Sequence, residues 1–336
     1  MEKRELREIN LDYLDKINMP DNKFGIEIEF SGALFKDVNK KLDELFGYKT
    51  YDAKVLERIE LEKAHYERWR LVNDSTVQDS TEYMGKKGGE INTPIMRNEK
   101  KYWQELKQVC EMLRKMKNIK IDDRCAVHIH TEKSIFEEIE EYKNLLKLFI
   151  LNEDIIYRFG YGETCEPRRT LLTFAKPFSA EYNLPPEIIL KKIDKIETPE
   201  ELIKLLRYER KYGLNLTNII KIKRTENDII KPTIELRIFN GTLNDNILQN
   251  YVRFKGYLLD YCKKENFDIE YNDYQIKNYK PLYINESIPE KPEKADRFFK
   301  QICKKNELDR LKLLKQYYKE YNENDIEKSI HLWYHH

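Results

Sequence analysis

Four short segments carry side chains that bind cations and phosphates. "GIEIEF", residues 25–30, places Glu27 and Glu29 two positions apart, and "GGEINTP" places Glu90 after two glycines. "CAVHIHT" holds His128 and His130, and "TIELRIF" holds Glu235 and Arg237. Alternate side chains of a strand share a face, so each polar pair points one way while Ile26, Ile28, Val127, Ile129, Ile234, Leu236 and Ile238 point the other. Two carboxylates at i and i+2 lie about 6.5–7 Å apart and repel by roughly 2–3 kcal/mol at an effective dielectric of about 20. Water relieves that repulsion on a solvated strand face, and bound cations relieve it in a site. Alone, the glutamate pair fits a solvated face and the histidine pair fits an exposed or hydrogen-bonded one. Together, the four segments describe a sheet whose polar face is lined with hard oxygen ligands and an imidazole. That set suits Mg²⁺ or Mn²⁺, whereas a zinc site would draw on the cysteines.

Hydrophobic spacing indicates the elements that must hold these residues. Strands are expected at 23–31, 67–73, 88–93, 124–131, 169–175, 214–223 and 232–239. Leu34, Val38, Leu42 and Leu45 recur at helical intervals, as do Trp103, Leu106, Cys110 and Leu113, which predicts two amphipathic helices. "SIFEEIEEYKNLLKLFILNEDIIYRF", from Ser134, predicts one long and largely buried helix. "TPEELIKLLRYER" offers Thr198 as N-cap, Pro199 at the first helical position and acidic residues in the first turn. "NDNILQNYVRFKGYLLDYC", from Asn244, predicts a further core helix. The expected class is α+β, an antiparallel sheet with helices packed on one side.

Composition narrows the function classes. With 336 residues, 40% hydrophobic and 12% aromatic, the chain can build a sizeable core. Lysine and arginine number 61 against 60 aspartate and glutamate, so no general field attracts nucleic acid or an anionic membrane, and neither is an expected partner. No signal-peptide core or membrane-length apolar run is present. The five cysteines are odd in number and lack CxxC spacing, which fits a reducing cytoplasm. Of six histidines, only His65, His128 and His130 precede the C-terminal "HLWYHH", and His65 sits in a charged stretch expected at the surface. A proline-bearing loop around 281–292 divides a main unit, 1–280, from a helical C-terminal appendage, 281–336.

"FGIEIEF", "NDSTV…GGEINTPIM", "CAVHIHT" and "TIELRIFNGTL" follow one another in the order and approximate spacing of the amidoligase family, which they resemble over roughly residues 22–262. These are carboxylate–amine ligases related to glutamine synthetase and glutamate-cysteine ligase. The resemblance implies a curved antiparallel sheet of the glutamine synthetase type, forming a funnel for ATP and metal ions with helices on its outer side. It also implies activation of a small-molecule or peptide carboxylate as an acyl phosphate, followed by capture by an amine. Carried over position by position, Glu27, Glu29, Glu90, His128 and Glu235 match metal ligands, and His130 matches a residue near the ATP phosphates. Arg237 matches the arginine that steadies the transferred phosphoryl group, with Glu235 and Glu90 beside it in the catalytic set. Asp74 and Ser75 correspond to a DGS turn at the substrate end, here without its glycine. Asn92-Thr93-Pro94 replaces the usual Ser-Pro, and Ala126 stands where a glycine commonly precedes HxH.

Arg168, Arg169 and Lys176 offer further cations to phosphates or to a substrate carboxylate, with Arg169 the nucleotide candidate, and they read equally as a solvated basic strand edge. Asn215 and Asn240 are candidates to orient substrate, Asn240-Gly241 reading also as a simple turn. Two other functions fit the same residues. One is a metal-dependent hydrolase or nuclease, in which the carboxylates and HxH activate water, and the other is a non-catalytic binding protein that keeps the fold.

Overall fold

The computed structural model describes residues 3–51, 66–79, 85–220, 232–263, 274–283, 287–304 and 306–330. His65, the three C-terminal histidines and positions 221–223 of one expected strand lie outside the described residues. Six strands form one open antiparallel sheet: β1 (Phe24–Leu34), β2 (Arg70–Val72), β3 (Lys87–Asn92), β4 (Ala126–Glu132), β5 (Leu214–Asn215) and β6 (Thr233–Asn240). Their spatial order is β2-β3-β1-β4-β6-β5, and mixed helix and strand content makes the class α+β. No helix among the described residues is long and apolar enough to cross a membrane.

Alternation fixes which face is inside. Ile26, Ile28, Phe30, Ile91, Val127, Ile129, Ile234, Leu236 and Ile238 are at most 1% exposed, and each such burial is worth about 1.5–3 kcal/mol. A one-residue slip of β1 would exchange its apolar row for Glu27 and Glu29, so the register is strongly determined. Behind the sheet, the helix Asp245–Cys262 sends Lys255 Nζ to the carbonyls of Ile129 (2.6 Å) and Ile234 (2.7 Å). Those residues adjoin His130 and Glu235, so the lysine ties β4 to β6 behind the polar face. Burial pushes its ammonium well below the usual lysine range.

The two glycines before Glu90 have separate steric reasons. Gly88 has φ +85°, and a Cβ there would stand 2.5 Å from the Val77 carbonyl oxygen; a Cβ on Gly89 would press on the Phe35 ring at 3.0 Å. Gly88 supplies the positive φ and Gly89 the close approach to Phe35 with which β3 carries Glu90 into place opposite Glu29.

Three sequence expectations need correction. Residues 169–175 form no strand: Leu171–Phe174 is a helical turn, entered after Arg168 N bonds Asn240 Oδ1 and Arg169 N bonds the Asp123 carbonyl. An apolar run that short has no decisive period. The helix expected from Ser134 starts at Ile139 with a Glu138–Glu141 capping box, while Ser134 lies in a 3₁₀ turn. It breaks at Asn152, whose side-chain amide bonds the Leu148 carbonyl, and a second helix, Glu153–Gly160, follows. Of 214–220, the part of the expected strand 214–223 that is described, only Leu214–Asn215 is strand, and Thr217–Ile219 is 3₁₀. Thr198 does cap its helix, accepting from Glu201 N at 3.2 Å.

The C-terminal helix Pro292–Cys303 packs Phe298 and Phe299 against Phe254 and Phe159. Beside them, buried Asp154 takes Lys294 at 2.7 Å and Lys291 at 2.6 Å. Burial alone would raise the Asp154 carboxyl, but Lys294 and then Lys291 hold it below the usual range. Asp154→Asn should therefore destabilise the protein by about 3–5 kcal/mol, because it leaves the buried Lys294 unpaired. A depressed carboxyl stabilises the fold above its unfolded pKa and loses that contribution as pH falls through the folded one. Urea midpoints of wild type and variant should thus differ at neutral pH and converge in acid. Equal midpoints at neutral pH would show that the pair adds nothing.

Candidate functional site

The sheet gathers the polar residues by cross-strand pairing. Glu27 on β1 stands between Asn92 on β3 and His128 on β4, and Glu29 stands opposite Glu90. One step along, Gly25 faces His130, which in turn faces Glu235 on β6. His128 Nδ1 lies 3.2 Å from Glu27 Oε2, and His130 Nε2 lies 3.1 Å from Glu27 Oε1 and 3.7 Å from Glu235 Oε1. Side chains distant in sequence become a continuous row because their strands are neighbours. His130 also has Nδ1 3.0 Å from Thr233 Oγ1, which orients the ring.

Among the described residues, three overlapping groups have ligand atoms within 4.8 Å of one another: Glu27–His130–Glu235, Glu27–Glu90–His128 and Glu29–Asp74–Glu90. Ligands on an octahedral Mg²⁺ are about 3 Å apart when adjacent and about 4.2 Å apart when opposite, so each group could close on one cation by moving inward. The donors fit such ions chemically, being carboxylate oxygens with imidazoles. His128 Nε2, buried and without a hydrogen-bond partner among the described residues, stands 4.0 Å from Glu29 Oε1. All five residues read as metal ligands are brought together. His130, read as a phosphate neighbour, also lies within a ligand group.

Electrostatics follow from burial. Glu29 is 4% exposed. Desolvation, then Asp74, pushes its carboxyl up to about 8, against the opposing pull of Arg168, the Ala126 N–H and Arg237. Burial, then the Arg237 charge, lowers His128 to about 4, leaving a neutral imidazole suited to metal ligation. Glu235 is buried too, yet Arg237, followed by the two imidazoles, holds it well below the usual carboxylate range. Arg237 Nη1 contacts Glu235 Oε1, and its Nε donates to the Phe174 carbonyl at 2.9 Å. Asn215 Nδ2 donates to the other Glu235 oxygen at 2.6 Å.

Other assignments shift. Arg169 is not brought into the cluster; it is exposed, with Nε 3.5 Å from Asp123 Oδ2. Its neighbour Arg168 is buried instead, donating Nη2 to the Arg237 carbonyl at 3.0 Å within electrostatic reach of Glu29. Lys176 pairs with Glu181 at 3.0 Å. Asn240 is more than a turn residue: it bonds Arg168 N, the Thr164 hydroxyl and the carbonyls of Tyr161 and Glu166.

Two site residues escaped sequence reading in this role. Arg70, opposite Asn92 on β2, feels the charges of Glu27 and Glu90; alternation in "RWRLV" was its signal. Asp74 joins Glu29 and Glu90 as a potential ligand, its Oδ1 also accepting from Thr76 N at 2.7 Å. At the end of the row beyond His130, a pocket of about 230 Å³ opens between the start of β1 and the end of β3, with Tyr66, Arg70, Pro94 and Ile95 in its wall.

A family model described as "Putative amidoligase enzyme" matches residues 20–259, a span containing all six strands and every residue of the cluster. No curated protein and no solved structure matches.

Proposed function

The chain belongs to the amidoligase family, a family of ligases, and from that premise we propose that it is an ATP- and Mg²⁺-dependent carboxylate–amine ligase acting through an acyl phosphate in the reducing cytoplasm. The observation that carries this reading is the continuous row Glu27, Glu29, Glu90, His128, His130 and Glu235, with Arg237 against its β6 end. On this reading the open sheet is the curved floor of a glutamine synthetase-type funnel. The substrates are a small-molecule or peptide carboxylate and an amine.

Each residue has a role that follows from its position. Glu27, Glu29, Glu90, His128 and Glu235 hold the divalent cations, which when bound neutralise the triphosphate and the charge of the transferring phosphoryl group. His130, fixed by Thr233, lies at the polyphosphate, and the pocket beyond it takes the nucleoside end. Arg237 is anchored through Nε and presents its planar fork to the phosphoryl group, while Asn215 orients Glu235. Arg168 and Arg237, whose charges reach Glu29, offset part of the acidic charge at the opposite end of the row, where a carboxylate substrate would enter.

The test is turnover of Mg-ATP with pooled amino acids, polyamines and peptides, resolving ADP from AMP. The expected products are ADP and phosphate, and with an ¹⁸O-labelled carboxylate one label should appear in the phosphate. AMP and pyrophosphate would indicate an adenylate route. Nucleotide-independent hydrolysis of an ester or phosphodiester would favour the metal-dependent hydrolase, and nucleotide binding without turnover the non-catalytic protein.

A further inference from the structure

Gly25 begins the polar row, on the same face of β1 as Glu27 and Glu29 and opposite His130. Glycine weakens a strand interior, through its backbone entropy and the side chain it fails to pack. Its presence there calls for a reason, and the two usual ones do not apply. Gly25 is not among the glycines with positive φ, which are Gly32, Gly47, Gly88 and Gly162. Among the described residues, a Cβ built on it meets only Thr93 Oγ1, at 3.8 Å, an ordinary contact. By contrast, a Cβ on Gly160 or Gly241 would come within 2.9 Å of the Ile238 or Cys125 carbonyl oxygen. The fold requires glycine at those positions and leaves position 25 open.

A side chain at position 25 would instead enter the pocket, which Gly25 itself lines. The volume of about 230 Å³ is smaller than the roughly 300–1,000 Å³ of pockets that enclose a whole ligand. It suits one ring system of a ligand whose charged remainder lies over the acidic row. The walls agree: Tyr66, Pro94, Ile95 and Pro232 are flat or apolar, and Arg70 and His130 stand on the side facing Glu27. Close approach of a ligand to bare backbone is a recognised reason for glycine within a strand.

We propose that Gly25 is a specificity-determining residue whose bare backbone forms the floor on which a planar heteroaromatic ring lies, that ring being the base of the nucleotide. This rests on the ATP-dependent reading above. The absence of a side chain sets the depth of the slot. A branched residue at position 25 would occupy the ring's place, while its Cβ makes only an ordinary contact with Thr93 among the described residues.

Gly25→Ala and Gly25→Val test this with two probes, Mg-ATP and Mg-tripolyphosphate, by titration calorimetry, with melting temperatures recorded alongside. Gly25→Val should weaken Mg-ATP at least tenfold, about 1.4 kcal/mol, with Gly25→Ala between it and wild type. Tripolyphosphate, which has no ring, should bind all three proteins equally. Melting temperatures should stay level or rise, since both residues are better strand formers. Mg-ATP affinity in Gly25→Val equal to that of wild type overturns the proposal, as does an equal loss of tripolyphosphate binding. So does a fall of about 5 °C or more in Gly25→Ala, which would make the glycine a requirement of the fold. A wild-type protein that binds neither probe overturns the ATP-dependent reading and this proposal with it.

Discussion

Glu27→Gln combined with Glu29→Gln should abolish Mg²⁺-dependent nucleotide binding while leaving the protein as stable as wild type or slightly more so. Glu29 accepts the Ala126 N–H at 2.7 Å, and a glutamine carbonyl can accept the same bond. Its ionised form is disfavoured by burial and by Asp74, so the neutral amide relieves repulsion; at an effective dielectric of about 20 the gain is on the order of 1–2 kcal/mol. The cation sites respond in the opposite sense, because Glu27 belongs to two of the three ligand groups and Glu29 to the third. Calorimetric titration with Mg-ATP and a urea melt read the two effects separately. Lost binding with retained stability is the signature of a site. Unchanged affinity would return the pair to an ordinary strand face, and a large loss of stability would make the carboxylates part of the fold.

The polar row was legible in the sequence because it obeys a local rule. Alternation assigns Glu27 and Glu29, His128 and His130, and Glu235 and Arg237 to a face without knowledge of strand order, and the buried isoleucines opposite them follow from the same rule. Strand adjacency is not local, and the residues missed are those whose roles depend on it. Arg70 matters because β2 pairs with β3 and brings the guanidinium alongside Asn92, next to Glu27. Asp74 becomes a potential ligand because its turn follows β2, at the edge of the sheet beside β3.

The arginine pair shows a second limit. Arg168 and Arg169 are chemically equivalent as text, yet one is buried beside Arg237 and the other is exposed beside Asp123. The choice is made by Asn240, whose carbonyl oxygen accepts Arg168 N while its amide engages the loop at Tyr161–Glu166. A backbone clamp of that kind leaves no periodicity to read. The helix break at Asn152 is similar, since the residue is compatible with a continuous helix until its amide turns back to Leu148. Gly25 lies between these cases: its position on the polar face was readable, but only the open space above it separates it from Gly88 or Gly160.

Arg237→Lys should preserve Mg-ATP binding and lower turnover by at least about a hundredfold, the scale of losing one transition-state donor. The wild-type guanidinium is held at two points, the Phe174 carbonyl through Nε and Glu235 through Nη1. It is therefore aimed before substrate arrives, and little reorganisation remains at the moment of phosphoryl transfer. Lysine keeps the positive charge opposite Glu235, so the carboxylate is not abandoned and the metal groups stay intact. What it loses is the planar fork that grips two phosphoryl oxygens at once. A merely structural Arg237 predicts a different pattern, because its exchange for lysine would cost stability through the lost Phe174 bond and leave turnover per folded molecule nearly unchanged. Binding, turnover and a urea melt on the same preparation distinguish the two. Turnover within a few-fold of wild type would remove Arg237 from the reaction and weaken the ligase assignment; a large fall in turnover at constant affinity and stability places its effect in the transition state.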